Sequence, residues 1–219
     1  MHICMDEIEF RLLKRIAAGE SQTLDFKFAV NDSRKIARSM SAFANTDGGS
    51  LLIGVKDNGR LAGMRTEEEI YMAEAAASMF CVPEILFNSI LYKIQGKEIL
   101  EIVIPALSDV LTLAPDENEK YLAYLRFRDA NFVAGSIYER VWNKRRFKLN
   151  THLRMDEYHR AVLELMERKG AVSLEQVVHD LGLKKGFAAS VIERLILLDA
   201  ADFCLNEKGM HYCLKDSIQ

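Results

Sequence analysis

The run over residues 19–63, GESQTLDFKFAVNDSRKIARSMSAFANTDGGSLLIGVKDNGRLAG, constrains the fold more than any other part of the chain. It begins with a period-two segment in which Leu24, Phe26 and Phe28 face one way and Thr23, Asp25 and Lys27 the other. The pattern then changes to helical spacing. Asp32 or Ser33 can cap a helix whose inner face is Ile36, Met40 and Phe43 and whose outer face is basic through Arg34, Lys35 and Arg38. Asn45-Thr46-Asp47-Gly48-Gly49 is a breaker cluster that stops this helix. The strand SLLIGVKD follows, apolar on both faces as a central, covered strand would be. Asp57-Asn58-Gly59 then turns the chain into a short hairpin toward Leu61 and Gly63.

The same run sets three carboxylates around the basic helix: Glu20, Asp25 and Asp57. Carboxylates that converge on one point can hold a divalent cation, and a basic helix face attracts phosphate. The combination points toward nucleic acid. Each acid also has an ordinary structural use: Glu20 at a helix end, Asp25 paired with Lys27 or Arg38, Asp57 serving its turn. Gly48-Gly49 is read as a tight turn, because it follows a helix instead of opening one and the chain has no GxxxxGK[ST].

The remainder of the first half reads as mixed α and β. Ile8, Leu12 and Ile16 mark a helix over 6–18 that Gly19 ends, and a further helix is expected over 66–79 with Glu67, Glu68 and Glu69 at the positive end of its dipole. FNSILYKI and KEILEIVI flank Gln95-Gly96 as a hairpin. A loop over 106–120 leads into the strand YLAYLRFR, with Arg126 and Arg128 on one face, and a short helix is expected over 136–143. From about residue 155 the character changes. Helices over 158–169, 173–181 and 185–198 precede an apolar hairpin around Asn206-Glu207-Lys208-Gly209, which is the winged-helix layout. In the last of these helices Phe187, Val191, Leu195 and Leu198 suit the core face. Lys184, Lys185 and Arg194 remain for phosphate, with Glu193 of the wrong sign. A domain boundary is placed within 147–155, giving domains 1–150 and 151–219.

Composition narrows the function classes. A chain of 219 residues with 49% hydrophobic and 28% charged residues can bury a core. No apolar stretch approaches the roughly 20 residues of a membrane span, and MHICMDEIEF is not a signal-peptide pattern, so a cytoplasmic location and no membrane partner are expected. Cys4, Cys81, Cys204 and Cys213 form no CxxC pair and read as reduced thiols in apolar runs. The five histidines are dispersed without ligand spacing. A net charge of −3 requires any nucleic-acid contact to come from local patches. The clearest patch is Lys144, Arg145, Arg146, Lys148 and Arg154, whereas residues 151–219 carry 9 basic and 11 acidic side chains.

The first domain resembles the Schlafen AlbA-type family. The resemblance rests on Glu20-Ser21…Asp25-Phe26-Lys27, on Ser41-Ala42-Phe43-Ala44-Asn45-Thr46-Asp47-Gly48-Gly49 and on Leu52-Ile53-Gly54-Val55-Lys56-Asp57, with Tyr124-Leu125-Arg126 and Asn131…Ala134 farther on. It implies an α+β fold, a Schlafen/AlbA-like domain followed by a winged helix-turn-helix, in a nucleic-acid-binding protein of the transcriptional-regulator kind. Such relatives also imply homodimerisation. In nuclease members three acids bind a divalent metal and cleave RNA. The matching positions here are Glu20, Asp25 and Asp57, which would hold Mg²⁺ or Mn²⁺ with Lys27 facing the scissile phosphate. Asp25 departs from the family's glutamate in an EFK triplet, and the side chain is one methylene shorter. The expectation is a protein that binds DNA or RNA without a certain cofactor. A metal-dependent endoribonuclease and a non-catalytic interaction scaffold are the alternatives.

Overall fold

The computed structural model describes residues 5–146 and 155–215. Helix α1 (Met5–Ala18) leads into β1 (Leu24–Lys27), α2 (Ser33–Ala44), β2 (Gly49–Ile53), α3 (Glu68–Met79) and the hairpin β3 (Asn88–Ile94) and β4 (Lys97–Ile104). These strands form one sheet in the order β1-β2-β4-β3. β1 and β2 are parallel, with Asp25 opposite Leu51, because α2 returns the chain to the same edge of the sheet before β2 begins. β2 and β4 are antiparallel, as are β3 and β4.

Side-chain alternation divides the core into two layers. Leu12 and Ile16 of α1 pack with Leu24, Phe26, Leu52 and Ile99. Ile36, Met40 and Phe43 of α2 pack with Leu51, Ile53 and Ile102, with α3 contributing Ala73, Ala76 and Ala77. Asp25 and Lys27 therefore leave β1 on the α2 side, as the period-two reading required.

A second, three-stranded sheet forms from β5 (Leu113–Pro115), β6 (Tyr121–Phe127) and β7 (Ala130–Val133). Its Ala114 and Tyr124 join the α2 core. Asn45 fastens the sheet: its side-chain amide donates to the carbonyls of Thr112 (2.8 Å) and Tyr124 (2.9 Å), and its Oδ1 accepts from the Thr112 amide at 2.8 Å. The two glycines beyond it are required by space. A Cβ on Gly48 (φ +70) would lie 2.8 Å from the Ala106 nitrogen, and one on Gly49 would lie 2.6 Å from the Phe43 ring. Glu69 of α3 is buried and accepts from the Val30 and Arg65 amides, so it ties two loops together in addition to suiting the helix dipole.

The chain divides into two compact units, Met1–Phe132 and Val133–Gln219. The second holds α4 (Gly135–Arg146), α5 (Glu157–Lys169), β8 (Ala171–Val172), α6 (Leu174–Leu181), α7 (Lys185–Leu197), β9 (Ala201–Asn206) and β10 (Gly209–Leu214). Its strands form a sheet in the order β8-β10-β9. Capping boxes start two of the helices, from Asp156 with His159 and from Ser173 with Gln176.

Several expectations are corrected here. The packing division lies ahead of the expected boundary within 147–155, most of which is outside the described residues, as are Lys148 and Arg154. Helix α4 goes with the second unit because Ile137 and Val141 enter its core. The core stripe of α7 is Ala188, Val191, Ile192, Leu195 and Ile196, whereas Phe187 and Leu198 are exposed. Phe187 instead meets Tyr158 edge to face at 5.1 Å. The hairpin expected after Asp57 is only an isolated bridge between Val55 and Leu61. Cys81 and Cys213 are buried free thiols, and burial pushes Cys81 up to about 12. No helix among the described residues is long and apolar enough to cross a membrane.

Candidate nucleic-acid interface

The C-terminal end of β1, the first two turns of α2 and the edge of the second sheet border a half-open cavity of about 550 Å³. Lys27, Lys35, Arg38, Ser39, Tyr124 and Asn131 line it, with Asp32 and Ile36 among the other lining residues. Helical spacing explains the convergence, since Lys35, Arg38 and Ser39 lie at i, i+3 and i+4 on one face of α2. Asp32 caps that helix by accepting from the Arg34 amide at 2.9 Å. The Arg38 Nε donates to the Pro115 carbonyl at 2.7 Å, so one edge of the guanidinium is fixed and its terminal nitrogens remain for a ligand.

Behind the cavity lies a buried charged layer. Asp25 is 4% exposed, and its Oδ2 accepts from Lys27 Nζ at 2.7 Å and from Ser39 Oγ at 3.4 Å. Its Oδ1 lies 3.5 Å from the Arg126 guanidinium. Arg126 itself donates to the carbonyls of Ser21 and Leu24 at 3.2 Å and to Asn131 Oδ1 at 3.0 Å, and it stacks over the Phe43 ring. Asn131 Nδ2 donates to Ser39 Oγ at 3.0 Å and completes the layer. Glu20 adjoins it, its Oε1 accepting from the Phe26 amide at 2.7 Å. Burial raises the Glu20 carboxyl above its usual range. The hydrogen bond and charge of Asp25 raise it further, and the Phe26 amide and Lys27 partly offset them.

The acidic trio is brought together only in part. Glu20 and Asp25 are neighbours, whereas Asp57 is exposed in the turn after β2. Among the described residues no three His, Cys, Asp or Glu side chains gather where they could hold a metal ion. Asp25 is also paired with Lys27 and Arg126, which compete with any cation for its oxygens. Glu20, Asp25 and Asp57 therefore do not gather into one three-carboxylate group in this structure.

The family model described as Schlafen, AlbA_2 matches residues 20–141, more than half of the chain. The chain belongs to this Schlafen AlbA_2 family. The matched span contains the cavity, the charged layer and the Asn45 staple. Among solved structures, the chain is similar to the DIP2311 protein of Corynebacterium diphtheriae, at 16% identity and a TM-score of 0.46, over 97% of this chain and 44% of that one. It is also similar to the N-terminal domain of a Nitrosomonas europaea protein named as related to the ATP-dependent DNA helicase RecG. That match has 19% identity and a TM-score of 0.39, over 68% of this chain and 95% of that one. The Schlafen AlbA_2 protein thus spans less than half the length of the Corynebacterium chain. No curated protein matches the sequence.

The other basic residues named from sequence are differently placed. Arg34 forms an exposed pair with Glu119 at 3.0 Å, a contact worth about 0–1 kcal/mol that phosphate could replace. Arg126 is 3% exposed and is corrected from a surface contact to a structural one, because its donors go to backbone carbonyls and Asp25. Arg128 is exposed beyond the end of β6 over the Phe127 ring and does not share a face with Arg126. Lys144 pairs with Glu193 at 2.7 Å, and Arg145 donates to the Ile196 carbonyl, so both fasten α4 to α7. That use of Glu193 explains a carboxylate on α7. Burial pushes its carboxyl up, but hydrogen bonds from Lys144 and Arg140 outweigh this and leave it below the usual range. Arg146 lies over the Trp142 ring, Lys185 reaches Glu175 at 3.4 Å, and Lys184 and Arg194 are exposed.

Sequence reasoning missed Ser39, Tyr124 and Asn131 as cavity residues. The i, i+4 relation of Lys35 to Ser39 was a usable signal. Tyr124 and Asn131 lie in stretches that carry the family resemblance, which assigned them no site role.

Proposed function

We propose that this Schlafen AlbA_2 protein binds nucleic acid through phosphate at the cavity beside α2. The observation that carries the reading is the convergence of Lys27, Lys35 and Arg38 on one concave site, in a chain whose net charge is −3. A cation about 4 Å from a phosphate oxygen near a protein surface gains about 4 kcal/mol before desolvation is subtracted. Three such groups on one concave site give a local hold on a polyanion that the net charge of the chain does not. Arg34 extends the same helix face, and its exposed partner Glu119 yields readily.

The second unit is read as a winged helix. The order α5, β8, α6, α7, β9, β10 with the sheet β8-β10-β9 supports this, and α7 would be the helix presented to DNA. Lys184, Lys185 and Arg194 are its available cations. A transcriptional regulator that grips backbone through the first unit and adds a second contact through α7 is the function that fits both units.

Fluorescence anisotropy with labelled single- and double-stranded DNA and RNA tests the reading. Salt-sensitive binding that weakens in Lys35→Glu supports it. Absence of binding to any of the four at low ionic strength sinks it.

A further inference from the structure

We infer that the cavity receives the terminal phosphomonoester of a nucleic-acid strand and not an internal phosphodiester. This deepens the nucleic-acid reading above and rests on it. The lining carries three cations, Lys27, Lys35 and Arg38, against one carboxylate, Asp32. The Asp25 charge behind Lys27 faces the buried Arg126. The lining is therefore net positive, partly offset by the Asp116 carboxylate, which the Lys120 backbone amide and, to a lesser degree, the Arg38 charge help hold below its usual range. An internal diester offers one negative charge, whereas a terminal monoester carries about −1.5 to −2 at pH 7.

The way the charges are held agrees with this. Lys27 is paired with Asp25, but among the described residues no carboxylate forms an ion pair with Lys35 or Arg38. Arg38 is anchored through Nε and offers a planar fork, the geometry that grips two phosphate oxygens at once. The inner wall is closed by Ser39 and Asn131, hydrogen-bonded to each other and to Asp25 and Arg126. A strand threaded past an internal phosphate needs chain on both sides, and a blind wall suits a chain that stops there. At about 550 Å³ the space is larger than a phosphate and comparable with a site for one nucleotide.

The test compares one short labelled strand carrying a 5′-phosphate, a 3′-phosphate or hydroxyl ends, with inorganic phosphate and a nucleoside monophosphate as competitors. One phosphorylated end should bind about tenfold tighter than the hydroxyl-ended strand, as expected for an added bidentate charge-assisted contact. Inorganic phosphate should erase that advantage. Lys35→Gln, an exposed change, and Arg38→Gln should each bring the ratio of phosphorylated to hydroxyl ends toward one. Equal affinity for all three strands, with salt-sensitive binding intact, overturns this inference and leaves the nucleic-acid reading standing. Stabilisation by the mononucleotide without binding of any strand overturns the strand-end assignment and the nucleic-acid reading together.

Discussion

Replacing Arg126 removes the group around which the buried layer is organised. The side chain is 3% exposed and satisfies the carbonyls of Ser21 and Leu24, the Asn131 side chain and one oxygen of Asp25. In Arg126→Ala those two carbonyls lose this donor, at about 1–3 kcal/mol for each that stays dry. Asp25 keeps Lys27, whose side chain is 31% exposed, so its charge is only partly uncompensated. Together these place the loss at about 3–5 kcal/mol, the range for breaking one side of a buried pair. For a unit of this size that is roughly 10–15 °C in melting temperature. The assay is thermal unfolding followed by far-UV circular dichroism. Trp142, the single tryptophan, lies in α4 and reports the second unit separately by fluorescence. The first transition should fall while the Trp142 transition stays in place. Asp25→Ala combined with Arg126→Ala should cost less than the sum of the two single changes, by about 0.5–3 kcal/mol. A loss under about 1 kcal/mol in Arg126→Ala, or strict additivity in the double variant, refutes the structural assignment of Arg126.

Other consequences follow from the same geometry. The Glu193 carboxyl has a folded value below its unfolded one, so its stabilisation is present above the unfolded range and is lost as pH falls through the folded value. Glu193→Gln should therefore lower the stability of the second unit near neutrality by about 1 kcal/mol and flatten its loss below roughly pH 4, read by Trp142 fluorescence. An unchanged acid profile would contradict the Lys144–Glu193–Arg140 clamp. Gly48→Ala should destabilise the first unit by more than about 1 kcal/mol in urea, because the new Cβ meets backbone at 2.8 Å; a neutral result would show that the turn relaxes. Arg15→Ala removes the cation 2.8 Å from buried Glu101, leaving the Tyr92 hydroxyl as a donor at 2.7 Å. The loss should be about 1–2 kcal/mol, since Arg15 is itself 41% exposed, and calorimetry would detect it.

Legibility in the sequence followed the length of each periodic signal. β1, α2, β2 and the β3–β4 hairpin were readable because alternation or helical spacing persisted and breakers such as Asn45–Gly49 and Gln95-Gly96 bounded it. β5, with three residues ending in Pro115, and β8, with two, are too short to show a period. Arg126 was misread because an arginine in a strand is usually exposed, and the carbonyls that bury it come from the start of β1 and the turn before it, far earlier in the chain. The α7 stripe was misread through Phe187, a large apolar side chain that the fold leaves outside while small Ala188 goes in. The acidic trio looked convergent along the chain, but the turn carrying Asp57 keeps it exposed and apart from Glu20 and Asp25. The cavity was half legible. Its α2 face followed from spacing, while Tyr124 and Asn131 arrive from the second sheet by tertiary packing.

The most direct test of the central claim is the salt dependence of single-strand binding, measured by anisotropy for the full chain and for Lys35→Gln combined with Arg38→Gln. Each phosphate neutralised on a single strand contributes about 0.7 to the slope of log affinity against log salt. The double variant should bind more weakly at every salt concentration and lose roughly 0.7 from the slope, the share of one phosphate. Binding with an unchanged affinity and slope would contradict the assignment of the phosphate site to this cavity.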